Sequence, residues 1–272
     1  MNRINETFVR LQKEGRKALI TFITAGDPSL EKTPAMVMAM AENGADIIEL
    51  GVPFSDPLAD GPTIQAASMR SIHRGTTLRN IITMVRDIRS HSQVPLVLMS
   101  YYNPILAYGV SDFVADATST GVNGVIIPDL PPEEGKQLRQ EAEAKELALI
   151  QLVSPTSTPE RMARLCRLSC GFVYYVMVTG ITGTRRQLPP AIAESLRQLK
   201  NLTETPIAAG FGISTPEQAF EVGQYADGVI VGSALVKIVA EHGEDLDLPE
   251  RLGSFVRELR FGLDGGLIKK EV

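Results

Sequence analysis

The chain has 272 residues, 44% of them hydrophobic and 22% charged, with a formal net charge of −5. No long basic run is present, so nucleic acid and anionic membrane surfaces find no electrostatic attractor, and a small solute is the expected partner of any site. The length suffices to bury roughly three quarters of the surface around one core, which favours a single domain over residues 1–272. Met1-Asn2-Arg3-Ile4 lacks an apolar signal core, and no run approaches the roughly 18 apolar residues of a membrane span. A cytoplasmic chain is expected, or a plastid stromal one if the source is photosynthetic. Cys166 and Cys170, without a neighbouring histidine, read as a structural thiol pair in a reducing compartment and not as a metal motif.

In chain order, Ile4 to Glu14 reads as a helix, and Leu19 to Thr24 as a short apolar strand ended by Ala25-Gly26-Asp27-Pro28. A helix follows to Asn43-Gly44, and Ile47 to Gly51 is the second strand. Helical patterns over Thr63 to His73 and Thr77 to Ser90 lead to strand three, Leu96 to Ser100. The helix Val110 to Thr120 stops at Gly121, Gly124 to Pro128 is strand four, and a charged helix spans Pro132 to Glu146. Leu149 to Val153 is strand five. Thr158 caps a helix to Leu168 with Pro159 in its first turn. Phe172 to Val176, Ile207 to Ala209 and Gly228 to Val231 supply strands six to eight. A helix over Thr215 to Gln224 separates the last two, and helices Ser233 to Glu241 and Leu248 to Phe261 close the chain. Eight such strand and helix units predict an α/β fold closed into a (β/α)8 TIM barrel, its bottom covered by the N-terminal helix and an extra helix added after strand eight. An open doubly wound sheet would carry a glycine fingerprint after its first strand, and Thr24-Ala25-Gly26-Asp27-Pro28 is not one.

In such a barrel the site lies where the strands end. Glu49 is an acid inside an apolar strand, where burial requires either a partner or a raised pKa, and a raised pKa suits a general acid. Asp56 and Asp60 follow in the next loop. Alone each reads as a turn residue, and only the combination with Glu49 points to chemistry. Phe22, Met99, Tyr101, Val153 and Phe211 are candidates for an apolar pocket. Tyr102, Asn103, Asp129, Tyr174 and Tyr175 also fall at strand ends. Glycines then dominate the last three loops, Gly180-Ile181-Thr182-Gly183, Gly210-Phe211-Gly212-Ile213-Ser214 and Val231-Gly232-Ser233-Ala234. Their backbone N–H groups, with a helix starting near Ser233, suit a phosphate. All nine lysines are placed on helices or outer loops, which excludes a Schiff-base aldolase, and His73, His91 and His242 sit at helix ends or in connections, where they cannot converge as metal ligands. Acid–base work by carboxylates on a phosphorylated, partly aromatic small molecule remains.

The segment Ile48-Glu49-Leu50-Gly51-Val52-Pro53-Phe54-Ser55-Asp56-Pro57-Leu58-Ala59-Asp60-Gly61 closely resembles the signature of the tryptophan synthase alpha chain family. The resemblance extends in order through Met99-Ser100-Tyr101-Tyr102-Asn103-Pro104, Pro128-Asp129-Leu130-Pro131, Ser154-Pro155-Thr156, Thr179 to Gly183, Gly210 to Ile213 and Val231 to Ala234. It implies lysis of indole-3-glycerol phosphate to indole and glyceraldehyde 3-phosphate, with Glu49 moving protons and Asp60 accepting the indole N–H. It implies a substrate-binding set of Phe22, Met99, Tyr101, Tyr174, Thr182, Gly183, Phe211, Gly212, Gly232 and Ser233. Tyr174 matches by its spacing to Gly183, and strand alternation lets only one of Tyr174 and Tyr175 face inward. Thr182 matches a lid residue that meets Asp60. Met177-Val178 stands where many members have Ser-Arg, which leaves open whether Arg185 or Arg186 takes over those contacts. The resemblance further implies a beta subunit partner in a complex of two alpha and two beta chains, with an interface at Pro53, Asp56, Asn103, Pro104 and Pro131. Pyridoxal phosphate belongs to that partner, and no cofactor or metal is expected in this chain. A stand-alone lyase, a different phosphate-binding barrel isomerase and a docking subunit without activity are the alternatives.

Overall fold

The computed structural model describes residues 2–177, 189–210 and 212–266. Eight parallel strands, β1 (Ala18–Thr24), β2 (Ile47–Gly51), β3 (Leu96–Met99), β4 (Gly124–Ile126), β5 (Ala148–Val153), β6 (Val173–Val176), β7 (Ile207–Gly210) and β8 (Gly228–Val231), pair in chain order, and β8 closes onto β1. The strand and helix alternation therefore resolves into the closed barrel it predicts. Around it lie α2 (Thr33–Glu42), α3 (Pro62–His73), α4 (Leu78–Arg89), α5 (Tyr102–Tyr108), α6 (Val110–Thr120), α7 (Lys136–Ala144), α8 (Pro159–Leu168), α9 (Pro190–Lys200), α10 (Pro216–Gly223), α11 (Ser233–His242) and α12 (Leu248–Leu263). No helix among the described residues is long and apolar enough to cross a membrane.

Two apolar layers follow from the alternation of side chains along each strand. Leu19, Ile23, Ile48, Leu50, Leu98, Val125, Val173 and Val229 point outward into one continuous core beneath the helices. Ala18, Ile20, Ile47, Val97, Ile126, Ile150, Ala208 and Ile230 point inward. Helix α1 (Arg3–Lys13) seals the bottom: Ile4, Phe8 and Leu11 join the inner layer, and the Phe8 ring lies 5.9 Å from that of Phe172. Asn2 starts this helix by accepting the Ile4 N–H at 2.9 Å. Arg260 docks the additional helix α12. Its guanidinium is almost wholly buried, donating to the Lys17 carbonyl at 2.9 Å and to Asp46 at 3.1 Å, and it also bonds Asp264.

Two local readings change. The charged helix begins at Lys136 and not at Pro132, because Pro131 to Gly135 forms a turn in which Glu134 and Gly135 both donate to the Pro131 carbonyl. Helices α5 and α9 are additions. The first is a single seven-residue piece stopped by Gly109 at φ +95°, too short to show a periodic face, and the second starts at Pro190, with Pro189 as its N-cap. Both cysteines are free thiols, as expected, but only Cys166, on the inner face of α8, is buried, and Cys170 is exposed. Phe8→Ala should lower the unfolding free energy by about 3 kcal/mol, since a buried ring would leave a cavity at the barrel floor. Urea denaturation measures this, and a loss under about 1 kcal/mol would mean that α1 only rests against the barrel.

Candidate active site

Glu49 is the central residue of β2, in register with Phe22 on one side and Val97 on the other. Its inward direction is forced by parity, because Ile47 two residues before it belongs to the inner layer. The carboxyl is fully buried, and neither oxygen has a hydrogen-bond partner among the described residues. Burial alone raises its pKa to about 8, so the group is held neutral at neutral pH. Next to it, Gly51 makes room for Phe22, since a Cβ there would fall 2.6 Å from the ring.

Above Glu49 the barrel mouth holds a cavity of about 220 Å³. Phe22, Ile64, Met99, Leu152, Tyr174 and Ile230 supply its apolar wall, and Asp60, Gly212, Gly232 and Ser233 its polar rim. Glu49 itself lies under this lining and not in it. No lysine or histidine borders the cavity among the described residues. Depressions of about 530 and 560 Å³ exist at the opposite end, against α1 and the starts of the strands. The Asp227 and Asp46 carboxyls there are ion-paired, with Lys200 at 3.0 Å and with Arg260 at 3.1 Å, and barrel sites lie at the strands' C-terminal ends.

Asp60 is half-buried at the end of the loop after β2. Burial raises its pKa, and the hydrogen bond it accepts from the Tyr101 hydroxyl at 3.1 Å opposes that rise. Tyr101 accepts in turn from the Ala59 N–H at 2.9 Å and stacks on Phe54 with ring centroids 5.2 Å apart. It stands behind Asp60, not in the cavity wall. The next residue, Tyr102, donates its N–H to Asp129 at 2.9 Å, which ties the loop after β4 to the same group. Tyr174 and Tyr175 separate by strand parity. Tyr174 borders the cavity, and its hydroxyl is held well above its usual pKa by burial and then by the Glu49 and Asp60 carboxyls. Tyr175 belongs to the outer core, as does Val153, which therefore drops out of the pocket.

At the other side of the mouth α11 begins at Ser233, with Gly232 before it and no side chain capping its first N–H groups. A Cβ at Gly232 would already touch Phe22 at 3.4 Å, and Gly212 has φ +82°, a conformation that favours glycine. The site is thus polar and positive in partial charge at this edge. Thr182, Gly183, Phe211, Val178, Arg185 and Arg186 lie outside the described residues. Of the expected interface residues, Asp56, Asn103 and Pro131 are exposed, Pro104 is half-buried and Pro53 is buried. Ile64, Leu152 and Ile230 were missed as cavity residues. Leu152 and Ile230 share inward parity with Ile150 and Gly228, a signal the strand boundaries already contained, whereas Ile64 depends on how α3 docks.

Comparison with known proteins matches this arrangement to one family. The family model for the tryptophan synthase alpha chain matches residues 8–258. The chain is 49% identical over 263 residues to the tryptophan synthase alpha chain of Geotalea uraniireducens, across 97% of this chain and 98% of that one. Against that of Pelobacter propionicus it is 50% identical over 266 residues, across 98% and 99%. The solved tryptophan synthase subunit alpha from Legionella pneumophila superposes with a TM-score of 0.91 at 37% identity, covering 97% of this chain and 99% of that chain. A tryptophan synthase structure from M. tuberculosis, in its aminoacrylate-bound form, gives 0.86 at 36%, covering 97% and 100%. With the sequence and the closed barrel in agreement over nearly the full length, the chain belongs to the tryptophan synthase alpha chain family.

Proposed function

We propose that Glu49 is the proton carrier and Asp60 the charge-stabilising acceptor in the reaction of this tryptophan synthase alpha subunit, the lysis of indole-3-glycerol phosphate to indole and glyceraldehyde 3-phosphate. The observation that carries the assignment is a neutral, unpartnered carboxyl buried beneath an apolar cavity whose rim holds a second carboxylate. Cleavage needs a proton on indole C3, which places positive charge on the ring nitrogen. The side-chain hydroxyl then loses its proton, its oxygen forms the aldehyde, and the broken carbon–carbon pair returns to the ring. Glu49 starts protonated, gives its proton to C3 after turning up toward the ligand, and as carboxylate takes the hydroxyl proton, ending as it began. Asp60 accepts the ring N–H and balances the transient charge.

Phe22, Met99 and Tyr174 would flank the indole, with Tyr101 acting through Asp60. Gly212, Gly232 and Ser233 at the start of α11 would receive the phosphate, together with Thr182, Gly183 and Phe211. Indole crosses membranes readily, which favours direct transfer to a beta subunit in a complex of two alpha and two beta chains, where pyridoxal phosphate would reside. Asp56, Asn103, Pro104 and Pro131 would meet that partner. Beside Asp56, Leu58 is 94% exposed, an apolar side chain suited to burial in an interface. Pro53, being buried, would act by shaping the loop.

Glu49→Gln should bind substrate and release indole roughly 10²- to 10⁴-fold more slowly. Near-normal turnover by the folded variant would remove Glu49 from the mechanism. The same variant tests the electrostatics. A folded-state pKa raised from 4.5 to about 8 means that protonated Glu49 contributes stability fully present below about pH 4.5 and lost as pH rises through about 8. Denaturation curves across that window should flatten in Glu49→Gln, and an unchanged slope would show that the carboxyl ionises normally.

Gly232→Asp should raise KM for indole-3-glycerol phosphate by about 10-fold or more while the melting temperature changes little, because it sets a negative charge against the positive end of α11. An unaltered KM would place the phosphate elsewhere. For the partner, Asp56→Ala is expected to abolish activation by a beta chain and preserve the isolated chain's residual rate. Equal wild-type rates with and without saturating beta chain would mean that the protein works alone.

A further inference from the structure

Helix α3 starts at Pro62, directly behind Asp60-Gly61, and Ile64 in its first turn is part of the cavity wall. Ala67, one turn on, packs with Phe22 and with Val236 of α11. Gln65 donates from Nε2 to the Asp60 carbonyl at 2.9 Å. Any slide or rotation of α3 therefore carries Asp60 with it.

What restrains α3 lies near its other end, in the loop after β1. Asp27 is only 1% exposed and accepts two parallel hydrogen bonds from Arg70, from Nε at 2.8 Å and from Nη2 at 2.7 Å. The Ser71 hydroxyl donates to the Ala25 carbonyl at 2.7 Å. Gly26, at φ +80°, lies so close that a Cβ would fall 2.1 Å from Thr76 Oγ1 and 2.5 Å from Ser71 Oγ. Its N–H donates to Thr33 Oγ1 at 3.1 Å. The first loop and the last turns of α3 thus form one packed unit.

A guanidinium held at two points fixes angle as well as distance, which an ammonium cannot do. Stability alone is a weak reason for such a pair, because Asp27 is buried but the Arg70 side chain is 39% exposed, and solvent screens the attraction. Defined geometry is what the pair adds. Neither Asp27 nor Arg70 borders the cavity, and Arg70 stands roughly 12 Å along the helix from its start.

We propose that the Arg70–Asp27 pair is a positioning device for the lyase reaction: it clamps α3 to the loop after β1 and so fixes Asp60 over the cavity. The proposal rests on the role given to Asp60 above. Arg70→Lys keeps the charge and removes the two-point bond. Assayed as full-length chain with a saturating tryptophan synthase beta chain, it should lower kcat about tenfold, since small misplacements of a reacting group are costly, with a smaller change in KM. Circular dichroism and the melting midpoint should stay near wild type. In an Asp60→Asn background the same substitution should change kcat less than about twofold, because the group it positions is already lost. Should Arg70→Lys fail to fold, Asp27→Asn combined with Arg70→Gln, which removes both charges together, is expected to show the same non-additivity. Equal losses in both backgrounds, or an unchanged kcat in the single variant, would overturn the clamp and leave the role of Asp60 intact. Full activity in Asp60→Asn alone would instead overturn that role, and the clamp with it.

Discussion

A closed ladder of parallel strands gives each strand residue only two directions, into the barrel or out toward the helices. Everything else in this molecule depends on that restriction. Ile47 and Glu49 share the inner direction, so the pattern that builds the apolar interior also drives a carboxyl into it. The same parity separates Tyr174, which borders the cavity, from its neighbour Tyr175 in the outer core. Because α1 fills the lower end with Ile4, Phe8 and Leu11, the unfilled volume among the inward side chains lies at the upper end, where the loops converge.

The two carboxyl groups differ in what surrounds them. Glu49 has burial without a hydrogen-bond partner among the described residues, and the neutral acid is favoured because a charge there would lose its hydration. Asp60 is also raised by burial, yet the Tyr101 hydroxyl gives its charged form a hydrogen bond. The barrel mouth thus sets one carboxyl kept neutral by burial beneath another whose charged form is hydrogen-bonded.

Loops placed at strand ends are held by contacts between units that are distant in sequence. Tyr101 after β3 supports the loop after β2 at Ala59 and Asp60, and the backbone of Tyr102 meets Asp129 after β4. The exposed stretch around Asp56 and Leu58 lies between Phe54, which stacks on Tyr101, and Asp60, which bonds it. That stretch is therefore tied at both of its ends to the tyrosine that holds Asp60 at the cavity rim.

Much of this was legible along the chain. Short apolar strands alternating with helices predict closure, and an acid in the middle of Ile47–Gly51 marks the interior, because side-chain period and burial are local properties of a strand. The glycines at 212 and 232, expected at strand ends, do line the cavity beside the start of α11. Other features required the folded chain. Val153 left the pocket and Leu152 entered it, since a one-residue difference reverses the face. Tyr101 moved from the wall to a post behind Asp60, and Pro53 from the surface to the interior. Helix α5 was too short to show a period. Above all, the union of Arg70 with Asp27, 43 positions apart, has no sequence signal. The sequence by itself determined which residues alternate, where elements stop and that a carboxyl would be buried, for these depend on neighbours in the chain. Tertiary structure alone decided which groups meet across the barrel mouth, because those distances are set by how the strands close and how the helices dock.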